Sequence, residues 1–193
     1  MRKATTMMVI SRDKRGRRVD WYQTVFELID MRSFSNLWFW ISLAVLWSSA
    51  SHWIIGVPFD FVQRAKRHGK AHTDDLETLV RINVNRILYI ANTAGLWIVG
   101  LTGFLVSGLL VVGFYYGIEF AQAVACLLVP MCFVGALTLR TARLIAAGEN
   151  TGQALLRRLT RHRMSTQAIG MAAIFVTSMW GMWQNMNIGV LGN

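Results

Sequence analysis

The composition of this 193-residue chain is strongly apolar. Hydrophobic residues make up 54% of it, the mean hydropathy is +0.39, and there are eight Trp but only two Pro. This apolar share is too high for an ordinary water-soluble domain of the same length. The net charge is +10, and the Lys and Arg residues flank apolar runs, which fits anionic lipid headgroups better than nucleic acid. Two cysteines exclude a disulfide-stapled fold.

The chain opens with MRKATTMMVISRDKRGRR, which lacks the apolar core and small-residue cleavage site of a signal peptide. We expect a basic, disordered N-terminal extension over residues 1–19 and a single membrane domain over residues 20–193. The first segment able to insert into a membrane is then NLWFWISLAVLWSSASHWIIGVPFDF, residues 36–61.

This first segment can be read as a single span or as a re-entrant hairpin that turns in SSASH. As one helix, residues 36–55 match the roughly 20 residues that a bilayer requires. As a hairpin, arms of about 12 residues would reach only about 18 Å. Eight basic residues precede the segment and twelve follow it, so only the hairpin leaves all of them on one side. The positive-inside rule therefore favours the hairpin, although distant charges count for less.

Three further apolar stretches are long enough to span: residues 87–116, 120–139 and 167–186. Basic connections at 62–86 and 140–166 would face the cytoplasm. The predicted fold is all-α: a multi-pass protein of the bacterial inner membrane, with three full transmembrane helices and a re-entrant or spanning first segment.

The polar connections themselves have helical character. We expect a helix over 73–86 to run straight into the second apolar stretch. Residues 150–164 place leucines on one side and Arg157, Arg158 and Arg161 on the other, which predicts an amphipathic helix on the headgroups. Residues 20–31 are a second candidate for an interfacial helix. Arg157, Arg158, Arg161 and Arg163 form the candidate surface for lipid or a partner protein.

Few residues suggest chemistry, and we expect no enzymatic activity, metal or cofactor. Cys126 and Cys132 match no zinc or iron–sulfur spacing and are best explained as small core residues. His52 could line a polar path or hold a haem, but a polar turn residue explains it more simply. Asp60 follows Pro58 and is expected to cap a helix beginning at Phe61, with a proton-relay role as the alternative. The remaining histidines, His162 among them, are expected to be solvated.

Small residues recur at helical spacing in two of the apolar stretches, where they would let helix backbones approach closely. Packing within one chain explains them most simply; a contact with a partner membrane protein or a second copy is the alternative. The residues are Gly100, Gly103 and Ser107 in the second stretch and Gly170, Ala173, Thr177 and Gly181 in the last.

Several runs of the sequence resemble a known family. DWYQTVFELIDMRSFSNLW, LAVLWSSASHW, GVPFDF, DLETLVRINVNRILYI, GIEFAQAV, RRLTRHR and GMWQN are similar to a group of small alphaproteobacterial membrane proteins named "component of SufBCD complex". The resemblance covers nearly the whole chain after residue 19. It implies proximity to iron–sulfur cluster assembly, yet the sequence has no cysteine array for a cluster and no phosphate-binding loop.

These observations favour a non-enzymatic membrane protein that acts as an accessory or docking subunit. Its basic cytoplasmic surface would bind anionic lipid and a protein partner, or a second copy, but not nucleic acid. A small homo-oligomeric channel or transporter is the first alternative, with His52 and Asp60 lining a polar path. A haem- or quinone-binding membrane subunit is the second.

Overall fold

The computed structural model describes residues 34, 36–68, 70–148 and 150–191. The predicted extension at 1–19 and the interfacial helix predicted at 20–31 lie outside these residues. The described chain is mostly helical and contains one short β-hairpin. Its elements are α1 (Leu37–His52), β1 (Trp53–Ile54), β2 (Val57–Pro58), α2 (Phe59–His68), α3 (Lys70–Leu110), α4 (Glu119–Ala146) and α5 (Gly152–Leu191).

Two of the described helices are long and apolar enough to cross a membrane: α3 with its continuation to Tyr115, and α4. The most apolar part of α3 is not buried at all; Leu96 is 86% exposed and Trp97 82%. Apolar surface of this extent is costly to expose to water. Because α3 runs unbroken from its charged first turns into this apolar part, the structure confirms that residues 73–86 continue into the second stretch.

The largest hydrophobic core lies among the polar connections rather than among the apolar stretches. We call it the basal core. It joins the hairpin, α2, the start of α3, the end of α4 and the start of α5. Its members are Ile54, Ile55, Val57, Phe59, Val62, Ala65, Leu76, Val80, Val84, Ala142, Ile145, Leu155, Leu156 and Leu159.

The hairpin enters this core through a two-residue turn. Ile54 pairs with Val57, and the turn residues Ile55 and Gly56 have φ angles of +52° and +74°. Positive φ at both positions is the type I′ geometry, which matches the twist of a hairpin. A β-branched residue is strained at positive φ, but the Ile55 side chain is only 3% exposed. Its burial in the basal core offsets the backbone cost.

Helix α1 is continuous through SSASH, so the re-entrant turn predicted there is wrong. The Asn36 side chain caps the helix by accepting a hydrogen bond from the Trp38 backbone N–H at 3.1 Å. The chain reverses only at Ile55 and Gly56, after the helix has ended. Serine and histidine can occupy the last turns of a helix without breaking it, because they keep the backbone N–H that proline lacks.

The direction of α1 follows from contacts at its two ends. The Phe34 backbone N–H donates to Glu119 Oε1 at 2.8 Å, beside the turn at residues 116–118 that joins α3 to α4. At the other end, α1 leads directly into the hairpin of the basal core. We call the end with the α3–α4 turn the apical end. Helix α1 therefore runs the length between the two ends, about 24 Å for 16 residues.

Helix α5 is one continuous element of 40 residues. The residues predicted to form an amphipathic helix on the headgroups, 150–164, are helical from Gly152 onward, but they are the first turns of α5 and their leucines pack in the basal core instead of facing lipid. Glu77 Oε1 accepts the Gly152 backbone N–H at 2.6 Å. A carboxylate at the start of a helix satisfies a free N–H and suits the helix dipole, so Glu77 fixes the start of α5 against α3.

A buried glutamine joins three helices at the apical end. Gln122 is 4% exposed; its Nε2 donates to the Gly113 carbonyl at 2.8 Å, while its Oε1 accepts from Trp180 Nε1 at 3.0 Å and Gln184 Nε2 at 2.6 Å. Gly113 lies in a π-helical turn, Val111–Tyr115, at the end of α3. A Cβ there would stand 2.9 Å from the Gln122 backbone nitrogen, so this position requires glycine.

Candidate functional site: basic surface and polar cleft

Basic side chains on α2 and α5 lie next to each other at the basal end. Lys66 Nζ donates to Thr160 Oγ1 at 2.9 Å, which brings the two helices into contact on their outer sides. The hydroxyl of Thr160 in turn donates to the Leu156 carbonyl at 2.7 Å. We call this surface the basic platform: Arg64, Lys66, Arg67, Arg157, Arg158 and Arg161.

The basic platform faces outward because the opposite side of α5 is anchored. Leu155, Leu156 and Leu159 are buried, and residues three or four apart lie on one face of a helix. Arg157 and Arg161 are therefore exposed, whereas Arg158 is half-buried. The amphipathic pattern in the sequence is real, but its apolar side is covered by protein.

Arg163 is separated from the other three arginines of the predicted surface. Its guanidinium lies over the Phe59 ring, 3.7 Å from the ring centre, a cation–π contact. It also lines a cleft of about 440 Å³ together with Ser48, Ser49, Ser51, His52 and Trp53. The four arginines thus belong to two sites.

The two residues predicted to share a polar path are in different environments. His52 is exposed and lines the cleft, but Asp60 is not among the residues lining it. The prediction that Asp60 caps a helix beginning at Phe61 is wrong. Helix α2 begins at Phe59, and Asp60 lies in its first turn, where a negative charge suits the helix dipole.

The two small-residue faces have different surroundings. On α5, a Cβ at Gly170 would stand 2.7 Å from Trp47 and one at Gly181 would stand 3.2 Å from Phe34; Ala173 and Thr177 are buried. This face packs against α1 and α4. On α3, Gly100 and Gly103 have no atom within 4 Å of a Cβ position, and Ser107 is exposed.

His162 is buried, contrary to the expectation that it is solvated. It is 5% exposed, and its Nδ1 lies 3.1 Å from Thr141 Oγ1. Because the Thr141 hydroxyl already donates to the Leu137 carbonyl at 2.8 Å, Nδ1 carries the proton of this bond. Burial lowers the pKa of His162, since it disfavours the charged imidazolium. In the sequence His162 stands between Arg161 and Arg163, and because arginines are mostly exposed, its burial could not be predicted from this pattern.

Cys126 and Cys132 are half-buried in α4 and not disulfide-bonded. In the part of the chain that the structure describes, no three His, Cys, Asp or Glu side chains lie close enough to hold a metal ion. No protein family, curated protein or solved structure matches the chain.

Proposed function

We propose that the chain is a multi-pass inner-membrane protein that docks a cytoplasmic partner protein on its basic platform. In this proposal α1, α3, α4 and α5 all cross the membrane, and the basal core lies at its cytoplasmic face. The platform would bind an acidic protein surface. The family resemblance makes iron–sulfur cluster assembly the first process in which to seek that partner.

The Lys66–Thr160 hydrogen bond is the observation that carries this proposal. It places Lys66 of α2 beside Thr160 of α5, so basic residues that are about 90 residues apart in sequence lie on neighbouring helices. Such a surface attracts an acidic partner over a distance and accelerates its association. The basal core beneath it packs α2 and α5 together and so positions the two helix backbones that carry the charges.

The distribution of charge after α1 supports placing the basal core at the cytoplasmic face, whereas the eight basic residues that precede α1 would lie on the opposite side. Between residues 87 and 139 the only charged residue in the sequence is Glu119, and between 164 and 193 there is none. The basic residues that follow α1 belong to the basal ends of the helices, which is the pattern of a cytoplasmic face. The exposed apolar side of α3 would then contact lipid.

The test is capture of the partner from native membranes. The tagged protein is purified in mild detergent, and co-purifying proteins are quantified by mass spectrometry. Reversing both exposed charges of α5, Arg157→Glu and Arg161→Glu, should lower recovery of a stoichiometric partner at least tenfold. The matched control is Arg81→Glu together with Arg86→Glu, which reverses two exposed charges on α3.

The control should leave partner recovery within about twofold of the unmodified protein. Full recovery with the α5 reversals would contradict docking on the platform. Equal loss in both double variants would show a general charge effect and would also contradict it.

A further inference from the structure

The polar cleft at the end of α1 has the chemistry of a phosphate site. Its lining includes the serines Ser48, Ser49 and Ser51 and the guanidinium of Arg163, and no carboxylate of a described residue belongs to it. Hydroxyl and guanidinium groups donate hydrogen bonds to phosphate oxygens, and the guanidinium adds a full positive charge. The cleft of about 440 Å³ is large enough for a phosphate with its substituents.

The charge of Arg163 has no counter-ion among the described residues. Its guanidinium lies over the Phe59 ring, and its Nε atom is buried without a hydrogen-bond partner in that part of the chain. Arg163 is only half-buried and borders the cleft, so an anion in the cleft can reach its charge. A bound phosphate would neutralise it, and the Phe59 contact would keep the guanidinium in position.

An apolar groove continues from the cleft. It occupies about 370 Å³ between α1 and α5 and is lined by Trp47, Ser51, Gln167, Gly170, Met171 and Ile174. Ser51 lines both cavities, so they adjoin. Trp47 is 4% exposed, and its indole N–H also has no partner among the described residues. From the cleft, the groove extends along α5 toward the apical end.

We propose that the cleft and groove together bind one phospholipid, with its phosphate among the serines and Arg163 and an acyl chain in the groove. A polar cavity followed by an apolar one matches the order of groups in a phospholipid. Free inorganic phosphate offers the same oxygens to the cleft but nothing to the groove. The inference rests on the proposed membrane placement and is independent of the protein partner.

The test is lipid binding to the delipidated full-length protein in detergent, followed by native mass spectrometry. Dioleoyl phosphatidylglycerol is the probe. Arg163→Gln removes the charge, and Ser48→Asp places a negative charge at an exposed position in the cleft without removing a buried side chain. Each should weaken binding at least tenfold. Arg140→Gln, an equal charge change at an exposed position outside the cleft, should change it less than twofold.

Three outcomes would overturn the inference. One is undiminished lipid binding in Ser48→Asp, which decides the matter even if Arg163→Gln does not fold. Another is equal weakening by Arg140→Gln, which would show attraction by net charge alone. The last is displacement of the lipid by equimolar inorganic phosphate, which would show a free-phosphate site. Because the cleft variants retain Arg157 and Arg161, they should still capture the partner, so failure here is distinguishable from failure of platform docking.

Discussion

The basal and apical ends of the molecule are stabilised by different interactions. The basal core packs aliphatic side chains such as Leu76, Val80 and Leu159, each no more than 1% exposed. At the apical end a buried polar contact joins the helices: Gln122 hydrogen-bonds to two other helices, and Gly113 admits its backbone. Several large apolar side chains there are exposed, including those of Phe114, Tyr115 and Ile118.

The difference follows from the surroundings proposed for each end. In water, removing leucine side chains from solvent drives folding. In lipid it does not, because acyl chains are as apolar as leucine, and helices associate through close packing and hydrogen bonds instead. Substitutions at the two ends should therefore destabilise the protein for different reasons.

The largest effect should come from the basal core. Leu159→Ala should lower the free energy of unfolding by about 2–5 kcal/mol, because it leaves a cavity in a fully buried site. Thermal melting of the protein in detergent micelles measures this. The control is Arg157→Ala on the exposed side of the same helix, which should change stability by less than about 0.5 kcal/mol. Equal losses of stability in the two variants would mean that the basal core does not stabilise the basal end of the protein.

At the apical end, the largest loss of stability should come from replacing the buried polar residue Gln122. Gln122→Leu keeps the size of the side chain but leaves the Gly113 carbonyl, the Trp180 N–H and the Gln184 amide without this partner. The expected loss is about 1–3 kcal/mol, measured by unfolding with increasing sodium dodecyl sulfate. Asn92→Leu, at an exposed position on α3, is the control and should be neutral. A stabilising Gln122→Leu would refute the apical hydrogen-bond account.

The two glycine faces offer a direct comparison of packed and open helix surfaces. Gly170→Ala should cost about 1–2 kcal/mol, because the new methyl would overlap Trp47 and displace α1. Gly100→Ala meets no atom and should be neutral or stabilising by up to about 1 kcal/mol through helix propensity. The same detergent unfolding measures both. If Gly100→Ala is the more damaging, the α3 face is covered by another chain.

The smallest effect should be a dependence of protein stability on pH, which arises from His162. Burial lowers the pKa of His162 in the folded protein, so below the ordinary histidine value of about 6.5 the unfolded chain binds more protons. The contribution of His162 to stability is present above that pH and is lost as the pH falls toward its folded pKa. The melting temperature should therefore fall between pH 7.5 and 5.5, and less steeply in His162→Asn. Parallel curves would show that His162 titrates normally.

The helices were easier to predict from the sequence than the surfaces against which each helix packs. Long uncharged runs indicated α3 and α4, and the pattern over 73–86 correctly predicted the continuous α3. In contrast, the leucine face at residues 155–159 shows that something apolar covers it, but periodicity cannot distinguish a protein core from lipid. The serines of SSASH suggested a turn, whereas in the fold they line a cleft with Arg163, a contact between segments far apart in sequence.

The path of α1 is the central claim, and the accessibility of introduced cysteines tests it most directly. In a Cys126→Ala, Cys132→Ala background, single cysteines replace Asn36, Tyr116, Asp60 or Arg157, and intact cells and inverted vesicles are treated with a membrane-impermeant maleimide. If α1 crosses the membrane, positions 36 and 116 label from one side, and positions 60 and 157 from the other. Labelling of position 36 from the same side as positions 60 and 157 would contradict it, because both ends of α1 would then lie on one side of the membrane.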